Sequence, residues 1–475
     1  MNYYLGIDNG GTLSKAALFD NTGNEIAVSA LDTPLVSPTE RDMEMLWEYN
    51  ARAIADCIQK LGVAPADIKG VALTGHGKGL YLWGKDGKPA YHGIVSTDQR
   101  AQPLVDEWYK NGVADQIYPK TCQRLLACQP AALLKWMKLN RREVYDNIQT
   151  VFEVKDYIRF MLTGEAYAEI TDYSGTSLMN LAEKRFDPAI FELLGIEEML
   201  SCMPPIISSF DCCGKVTDKA ESLTGLKAGT PVFGGMFDID ACALAMNVTE
   251  TEDLCTITGT WSINEYIAKA PVMSGVIAMN SLFCLDDYYL VEECSPTSCS
   301  NLEWFKNTFL TPDISYKTLD EWVENTPANP DGAIFLPFVF TTGGKLSGLS
   351  AGHSTAQLVR AVFEGVAFSC RRHIETLLKT REHPAKIKLA GGAANSCVWV
   401  QMFADVLGFP IEVMETKELG TLGCAITAAC GAGEYTSLTE AAARMTRAKA
   451  LIQPNPALKA VYDQLYARFI RECSV

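Results

Sequence analysis

The chain has 475 residues, too many for one hydrophobic core, and its length predicts two domains of about 200 to 250 residues each. Hydrophobic residues make up 48% and charged residues 21% of the chain, which is typical of a folded globular protein. Lys and Arg number 41 against 57 Asp and Glu; the net charge of −16 disfavours nucleic acid as a partner, because phosphate backbones require clustered basic side chains.

The sixteen cysteines are scattered and form neither a CxxC pair nor a Cys/His zinc spacing. This pattern fits reduced cysteines used as small apolar residues, which predicts a cytoplasmic location. The N-terminal segment lacks the features of a signal or transit peptide, and the chain has no run of about 18 apolar residues for a membrane span. We therefore expect a soluble, intracellular protein with no membrane partner.

The first predicted element is a β-hairpin whose turn carries two glycines. Asp8 ends the first strand-like segment, and Gly10, Gly11 and Thr12 lie between it and the second. Glycines permit positive φ and close approach of a phosphate to the backbone, while Asp8 offers a carboxylate suited to hydrated Mg²⁺. A plain hairpin turn is the alternative, but it would not require an Asp at the strand end. The pattern favours a phosphate-binding turn.

A predicted helix over residues 40–61 and a strand over residues 68–75 continue the chain as an α/β unit. The strand enters a turn with three glycines in five residues, which includes His76 and Lys78. An isolated His and Lys, such as His76 and Lys78, are more often found on the surface. The density of glycines instead favours a ligand pressed against the backbone.

Another predicted strand, over residues 94–100, ends in polar side chains. Asp98 and Arg100 can hydrogen-bond a polyol or pair with each other, and the sequence favours neither. A strand and a helix are predicted over residues 151–163, and a polar loop over residues 171–176.

Near the midpoint an apolar, glycine-bearing strand ends in Asp238, and a helix of small residues follows. A carboxylate held at a strand end by a helix is a natural position for a base, although Asp is more often structural there. Residues 254–267 are predicted to form strand, turn and strand, with Gly259 and Thr260 in the turn, where backbone N–H groups can point at phosphate. This hairpin faintly repeats the first one and indicates an internal duplication.

Towards the C-terminus, residues 387–407 are predicted to form a strand, a glycine-rich turn and a helix. This order is typical of nucleotide-binding βα units, although it is not the GxGxxG dinucleotide fingerprint. The turn region contains Gly391, Gly392, Ala393 and Ser396. A helix rich in small residues is predicted from Glu418 onwards.

Seven segments, in order along nearly the whole chain, resemble the FGGY carbohydrate kinases, members of the actin-like, ribonuclease-H-like ATPase superfamily. These segments are LGIDNGGTLSKAALFD, STDQRA, TDYS, GGMFDIDACAL, ITGTW, LAGGAANSCVWVQMFADVLGFPIEV and ELGTLGCAITAA. The resemblance implies an α/β fold of two ribonuclease-H-like (actin-like ATPase) domains with a cleft between them. Residues 1–247 would bind sugar and carry catalysis, and residues 248–475 would bind ATP.

The resemblance also implies roles for single residues. Asp238 is the expected catalytic base and is preferred over Asp240, because Asp238 and Ala241 fit the family pattern Asp-x-x-Ala. Asp8 and Asp238 are the expected ligands of Mg²⁺. The expected ATP-binding residues are Asp8, Gly10, Gly11, Thr12, Lys15, Gly259, Thr260, Gly391, Gly392, Ala393 and Ser396. The expected sugar-binding residues are His76, Lys78, Asp98, Arg100 and Asp238.

Within the family, the segments HGKGLYLW, STDQRA and SPTSCSNLEWF most resemble the L-xylulose (3-keto-L-gulonate) kinase branch. D-Xylulose kinases typically carry Met-His where this chain has Gly77 and Lys78, which disfavours D-xylulose. An ammonium group at Lys78 can pair with the carboxylate of an acidic ketose. The expected reaction is ATP-dependent phosphorylation of the terminal hydroxyl of a ketose, with L-xylulose or 3-keto-L-gulonate preferred.

Several alternatives stay open at this point. The substrate can be D-xylulose, a ribulose, a glycerol-like polyol or an autoinducer-type ketone. The chain can also be a non-catalytic sugar or nucleotide sensor on the same fold, or an actin-like or chaperone ATPase that acts on protein partners. A small-molecule sugar is the expected partner, and a homodimer is left open.

Overall fold

The computed structural model describes residues 2–11, 13–33, 35–60, 64–275, 277 and 279–473. Two seven-stranded mixed sheets dominate these residues, one from each half of the chain. The elements of the first half are β1 (Tyr3–Asn9), β2 (Leu13–Asp20), β3 (Glu25–Asp32), β4 (Leu35–Ser37), β5 (Glu40–Arg41), α1 (Met43–Gln59), β6 (Ile68–Gly75), β7 (Tyr81–Gly84), β8 (Gly93–Ile94), α2 (Gln102–Asn111), α3 (Val113–Thr121), α4 (Pro130–Asn140), α5 (Arg142–Asn147), β9 (Ile148–Phe152), α6 (Val154–Thr163), β10 (Ala168–Glu169), α7 (Ile170–Ser174), β11 (Met179–Asn180), β12 (Arg185–Phe186), α8 (Pro188–Leu194), β13 (Ile206–Ile207), β14 (Cys212–Lys215), α9 (Asp218–Thr224), β15 (Pro231–Phe233), β16 (Met236–Phe237) and α10 (Asp238–Ala245).

The second half continues the same alternation of strands and helices. Its elements are β17 (Cys255–Thr258), β18 (Ser262–Ala268), β19 (Met279–Leu282), β20 (Tyr289–Ser295), α11 (Cys299–Phe309), α12 (Tyr316–Glu324), β21 (Ile334–Leu336), β22 (Lys345–Ser347), α13 (Thr355–Leu377), β23 (Ile387–Gly391), α14 (Cys397–Leu407), β24 (Ile411–Met414), α15 (Leu419–Gly431), α16 (Leu438–Met445), β25 (Ala448–Ile452) and α17 (Lys459–Cys473). None of the helices in the described residues combines the length and apolarity needed to cross a membrane.

The first sheet has the strand order β14-β15-β6-β1-β2-β3, with β16 also paired to β6. Strand β1 is antiparallel to β2 and parallel to β6. Helix α1 covers one face of these strands and α15 the other, so residues on both faces of β1, such as Tyr4 and Leu5, are buried. Continuous apolar runs are the expected pattern for strands covered on both faces.

The second sheet repeats this arrangement, in the order β19-β20-β18-β17-β23-β24-β25. Strand β17 is antiparallel to β18 and parallel to β23, as β1 is to β2 and β6. Each sheet ends in an antiparallel edge strand, β14 in the first and β25 in the second. The internal duplication predicted from the two hairpins is therefore present in the strand topology.

Helix α15 comes from the second half of the chain but packs on the first sheet. A Cβ atom added to Gly6 of β1 would overlap the carbonyl of Thr421, and one added to Gly423 would overlap the carbonyl of Ala241 in α10. Glycine at both positions lets the three backbones approach closely. One helix thus holds β1, which carries Asp8, against α10, which carries Asp238. The predicted boundary between two domains after residue 247 stays a prediction.

Two predicted elements differ from the structure. The strand expected over residues 94–100 is limited to β8, because the N–H of Asp98 bonds the carbonyl of Val95 and the Asp98 side chain bonds the N–H of Arg100. The polar loop expected over residues 171–176 is largely the buried helix α7, whose first N–H groups are capped by the Glu169 side chain. Local side-chain bonds to the backbone compete with regular structure in the first case and start a helix in the second.

Candidate active site

Three parallel strands end together and bring the predicted catalytic residues to one edge of the first sheet. Asp8 of β1 is paired with Thr74 of β6, and on the other side of β6 the same residue pairs with Met236 of β16. Asp238 begins helix α10 two residues after Met236. The glycine-rich turn with His76 leaves β6 at this point. Ligands of open α/β sheets bind at such carboxyl ends of strands.

The carboxyl groups of Asp8 and Asp238 interact with each other. Burial, reinforced by the negative charge of Asp8, raises the pKa of Asp238 to about 7, although Lys78 acts in the opposite direction. Burial also raises the pKa of Asp8 to about 6, against the opposing effect of Lys15. A group that titrates near neutral pH is suited to act as a general base.

Asp240 has a different environment from Asp238, although only one residue separates them. It is fully buried, and neither carboxyl oxygen has a hydrogen-bond partner among the described residues. Burial raises its pKa well above the usual range, which favours the protonated form. Asp238 is partly accessible. These environments support the choice of Asp238 over Asp240 as the candidate base.

A network of buried charges anchors the residue before Asp238. The N–H of Phe237 donates to the Thr171 hydroxyl at 2.9 Å, and this hydroxyl donates to Glu169 at 2.8 Å. Lys155 lies 3.3 Å from Glu169, and both side chains are fully buried. This support could not be predicted from the sequence, because its members are distant from Asp238 along the chain. The network fixes the backbone from which Asp238 projects.

His76 and Lys78 lie close to Asp238, but neither is a free surface charge. The Nε2 atom of His76 is 2.9 Å from the Tyr81 hydroxyl, and burial lowers the His76 pKa to about 4, so the ring is neutral at pH 7. Lys78 has a φ of 61°, in the left-handed region that a non-glycine residue rarely adopts. Its Nζ is 3.4 Å from Oε1 of Glu292 on β20, and its side chain is only 12% exposed. The solvated alternative for Lys78 is therefore wrong.

Asp98 and Arg100 pair with each other, as one of the two sequence interpretations stated. The Nε and Nη2 atoms of Arg100 donate to the two Asp98 carboxyl oxygens at 2.8 and 2.9 Å. Arg100 also donates to Glu40 at 2.8 Å and lies 5.1 Å over the Trp136 ring. Both residues have structural partners in this conformation, and their contact with sugar stays a prediction.

The first glycine-rich turn is open, although its glycines do not adopt positive φ. Neither Gly10 nor Gly11 has φ in the left-handed region, so the expectation of positive φ is wrong. A Cβ atom added to Gly11 would meet no atom of the described residues within 4 Å beyond its chain neighbours, which leaves the backbone accessible. Thr12 lies outside the described residues. Lys15, on the strand that follows, forms an ion pair with Glu418 at 3.1 Å.

Arg41 supports this turn and was not identified from the sequence. Its Nη2 donates to the Gly11 carbonyl at 2.6 Å, and its Nη1 donates to the carbonyls of Ser37 and Glu40. The side chain is buried. A single Arg before a helix carries no sequence signal, because its partner precedes it by thirty residues.

The two predicted ATP-binding turns of the second half are neighbours. Thr258 of β17 is paired with Gly391 of β23, so the Gly259–Thr260 turn and the turn after β23 lie at one edge of the second sheet. Gly391 has a φ of 91°, and a Cβ there would press against Thr258. The Gly259 N–H donates to the carbonyl of Trp261 inside its turn, which leaves Thr260 exposed at the tip.

A cavity of about 240 Å³ lies beside the second turn. It is lined by Leu389, Ala390, Gly391, Gly392, Ala394, Asn395, Val413, Met414, Glu415, Thr416, Lys417 and Lys449. Two of the expected ATP-binding residues of this turn, Ala393 and Ser396, are not in this lining. Ala393 is fully buried in the core, and the Ser396 hydroxyl caps α14 and donates to Asp320 at 2.7 Å. Asn395 and Lys417 are cavity residues that sequence reasoning missed.

Residues 3–245 match the N-terminal domain of the FGGY family of carbohydrate kinases, and residues 254–432 match the C-terminal domain of the same family. The chain belongs to the FGGY family of carbohydrate kinases. It is therefore an ATP-dependent sugar kinase with the two-domain, ribonuclease-H-like fold of that family, and ATP is its phosphoryl donor.

Similar proteins cover almost the full length of this FGGY kinase. A probable L-xylulose kinase of Pasteurella multocida is 36% identical, with 99% of this chain and 98% of the relative covered. An L-xylulose/3-keto-L-gulonate kinase of Escherichia coli is 34% identical, with 98% of this chain and 96% of the relative covered. The structure of ligand-bound xylulose kinase from Lactobacillus acidophilus has a TM-score of 0.91 at 23% identity and covers 100% of this chain and 98% of its own, which supports the fold.

Proposed function

We propose that this FGGY kinase transfers the γ-phosphoryl group of ATP to the terminal hydroxyl of a ketose, L-xylulose or 3-keto-L-gulonate. The observation that carries the proposal is the identity of 36% and 34% to two L-xylulose kinases over nearly the whole chain. The positions of Lys78 and Asp238 at one strand edge agree with a sugar site there. D-Xylulose and glycerol-like polyols remain the alternative substrates.

The proposed reaction uses Asp238 as the general base. Its carboxylate accepts the proton of the sugar hydroxyl as the hydroxyl oxygen attacks the γ-phosphorus, and ADP leaves. A positioned base contributes about 10²- to 10⁴-fold to such a rate, and the alignment of sugar and phosphate contributes more. The Phe237 contact with Thr171 holds the backbone at Asp238, which keeps the base in place.

The two carboxylates at this edge are suited to Mg²⁺. The charge of Asp8 raises the pKa of Asp238, so a cation placed between the two carboxylates would relieve their repulsion. The described residues contain no group of three or more His, Cys, Asp or Glu side chains arranged to hold a metal. Mg²⁺ in kinases is commonly bound by one or two carboxylates, water and substrate phosphates. Mg²⁺ held by Asp8 and Asp238 would supply positive charge to the phosphates.

ATP is proposed to lie across the two edges described above, with its phosphates at Gly10, Gly11, Thr12, Lys15, Gly259 and Thr260. Its adenosine would occupy the cavity beside Gly391 and Gly392. Ala393 and Ser396 would act there through the shape of the turn, because their side chains are already packed or hydrogen-bonded.

The proposal extends to the compartment in which the kinase works. All sixteen cysteines are free thiols. Free thiols persist in the reducing cytoplasm, where ATP is also supplied. We therefore keep the cytoplasm as the proposed location.

A coupled assay of ADP release tests the substrate. The panel contains L-xylulose, 3-keto-L-gulonate, D-xylulose, L-ribulose, glycerol and an autoinducer-type ketone. We expect kcat/KM for one of the first two sugars to exceed the values for all others by about tenfold or more. A higher kcat/KM for D-xylulose, or for glycerol, would overturn the proposed substrate while leaving the family assignment intact.

A further inference from the structure

Lys78 is linked to the other half of the molecule by an ion pair. Its Nζ lies 3.4 Å from Oε1 of Glu292, and the Glu292 side chain is only 2% exposed. Lys78 follows β6 of the first sheet, whereas Glu292 belongs to β20 of the second. Burial favours the neutral form of Lys78, but the carboxylate of Glu292 offsets this, and the Lys78 pKa lies above its usual value. Lys78 is therefore charged, and the Glu292 carboxylate lies within ion-pair distance of it.

The other cations among the predicted sugar-binding residues are also neutral or neutralised. His76 is uncharged at pH 7. Arg100 shares its charge with the carboxylates of Asp98 and Glu40. Arg41 lies nearby, but its Nη2 points at the Gly11 carbonyl, on the phosphate side of the site. The predicted sugar-binding residues thus offer no uncompensated positive charge to a substrate carboxylate.

The surroundings of Glu292 are rich in carboxyl groups. Glu265 is paired with Glu292 across β18 and β20 and is fully buried. Burial, together with the charge of Glu292, raises the pKa of Glu265 well above its usual range, which favours the neutral form of Glu265 over one that would share the charge of Lys78. A substrate carboxylate at Lys78 would have to compete with Glu292 and would meet its repulsion. Like charges placed close together disfavour binding strongly.

A neutral ketose does not have this difficulty. An ammonium group has three N–H donors, and Glu292 accepts from one of them. The other two can donate to hydroxyl or carbonyl oxygens of a sugar while the ion pair stays in place. The charge of Glu292 also affects Asp238, so the ion pair lies within electrostatic range of the proposed base.

We propose that Glu292 is a specificity-determining residue, which neutralises Lys78 and thereby selects a neutral ketose over a keto acid. The proposal rests on the proposed ketose kinase function. It assigns L-xylulose, rather than 3-keto-L-gulonate, as the better substrate of this chain. Glu292 acts on the substrate through the charge that it leaves at Lys78.

The test compares kcat/KM for the two ketoses in wild type and in Glu292→Gln. The amide keeps the shape of the side chain but removes the negative charge, so Lys78 becomes free to pair with a substrate carboxylate. We expect wild type to prefer L-xylulose, and we expect the ratio of kcat/KM for 3-keto-L-gulonate over L-xylulose to rise about tenfold or more in Glu292→Gln, as for a gained charge-assisted bond. The KM for ATP should not change.

Two further variants separate this effect from damage to the fold. Glu293→Gln removes the neighbouring carboxylate, which contacts His373, and should leave the ratio at the wild-type value. The double variant Lys78→Met with Glu292→Gln removes both charges together and should lose the gain in keto-acid preference. If Glu292→Gln does not fold, the double variant is compared with Lys78→Met alone instead. Lys78→Met leaves Glu292 without its partner, so its ratio of kcat/KM for 3-keto-L-gulonate over L-xylulose should be lower than that of the double variant.

The outcomes separate the two proposals. If wild type turns over L-xylulose but the ratio of kcat/KM for the two ketoses changes less than about twofold in Glu292→Gln, only the proposed role of Glu292 is overturned. A wild-type preference for 3-keto-L-gulonate also overturns it. Turnover of neither ketose by wild type overturns the proposed function, and the assignment of Glu292 with it.

Discussion

The environment of a residue decides what its side chain can do here, more than its chemical type. Asp238 and Asp240 are one residue apart, yet Asp238 titrates near pH 7 at an accessible strand edge and Asp240 is a buried acid without a hydrogen-bond partner in the described residues. The preference for Asp238 over Asp240 was drawn from a family pattern in the sequence. The ion-pair partner of Lys78 could not be predicted from the sequence either, because Glu292 is 214 residues away. A sequence pattern identifies a candidate residue but not the charges around it.

The neutral His76 predicts a pH dependence of stability. Burial lowers its pKa from 6.5 to about 4, so between these values the unfolded chain binds a proton that the native protein does not. The free energy of unfolding therefore falls as the pH falls, and His76 should account for about 2 kcal/mol of the loss between pH 7.5 and pH 5. Denaturant titrations of wild type and His76→Gln at both values should show a smaller loss in the variant. His92→Gln is the control, and an equal loss in wild type and His76→Gln would contradict the prediction.

Elements with a strong hydrophobic pattern could be predicted, and short polar ones could not. The hairpins around residues 3–20 and 254–267, the strand at residues 68–75 and the βα unit at residues 387–407 all occur in the structure. Their apolar runs are long enough to indicate the element without its surroundings. Helix α7 was predicted as a loop because its Asp, Thr and Ser residues favour turns, and its helical form depends on the Glu169 cap and on burial.

The open turn at Gly11 predicts a selective effect on ATP. Gly11→Val adds a side chain at a position where φ is not left-handed and where an added Cβ meets no described atom within 4 Å beyond the chain neighbours, so the protein should fold normally. The added methyl groups would occupy the space proposed for phosphate. We expect the Kd for ATP, measured by calorimetry, to rise at least about tenfold while the Kd for sugar changes less than about twofold. An equal loss of both affinities would indicate a folding defect and contradict the prediction.

The crossing of α15 with α10 predicts an effect on both stability and catalysis. A Cβ atom at Gly423 would overlap the carbonyl of Ala241, so Gly423→Ala must push α10 away. Overpacking of this kind costs typically about 1 to 3 kcal/mol. We expect a lower thermal midpoint and a lower kcat, since α10 carries Asp238. Gly352→Ala adds the same atom where the nearest neighbour is 3.9 Å away and should change neither quantity. A wild-type kcat in a destabilised Gly423→Ala would contradict the link to Asp238.

The whole molecule is a duplicated fold, and the proposed site takes residues from both halves. The duplication was predicted from two hairpins, and the family resemblance extended it to the complete fold. Contacts between the halves were not predicted, because they join residues far apart in the chain. Helix α15 against β1, Lys15 with Glu418 and Lys78 with Glu292 are of this kind. The residues of the candidate site could therefore be predicted one by one from the sequence, but the contacts among them could not.

The central claim is that Asp238 takes the proton of the sugar hydroxyl. Steady-state ADP release with saturating L-xylulose, compared among wild type, Asp238→Asn and Asp240→Asn, tests it most directly. We expect Asp238→Asn to lose about 10²- to 10⁴-fold in kcat while its Kd for sugar stays within about tenfold, because the amide keeps the shape but cannot accept the proton. Asp240→Asn, which replaces a buried acid whose pKa is raised by burial, should keep most of the wild-type kcat. The account would be contradicted if Asp238→Asn kept more than about a tenth of the wild-type kcat while Asp240→Asn lost this activity.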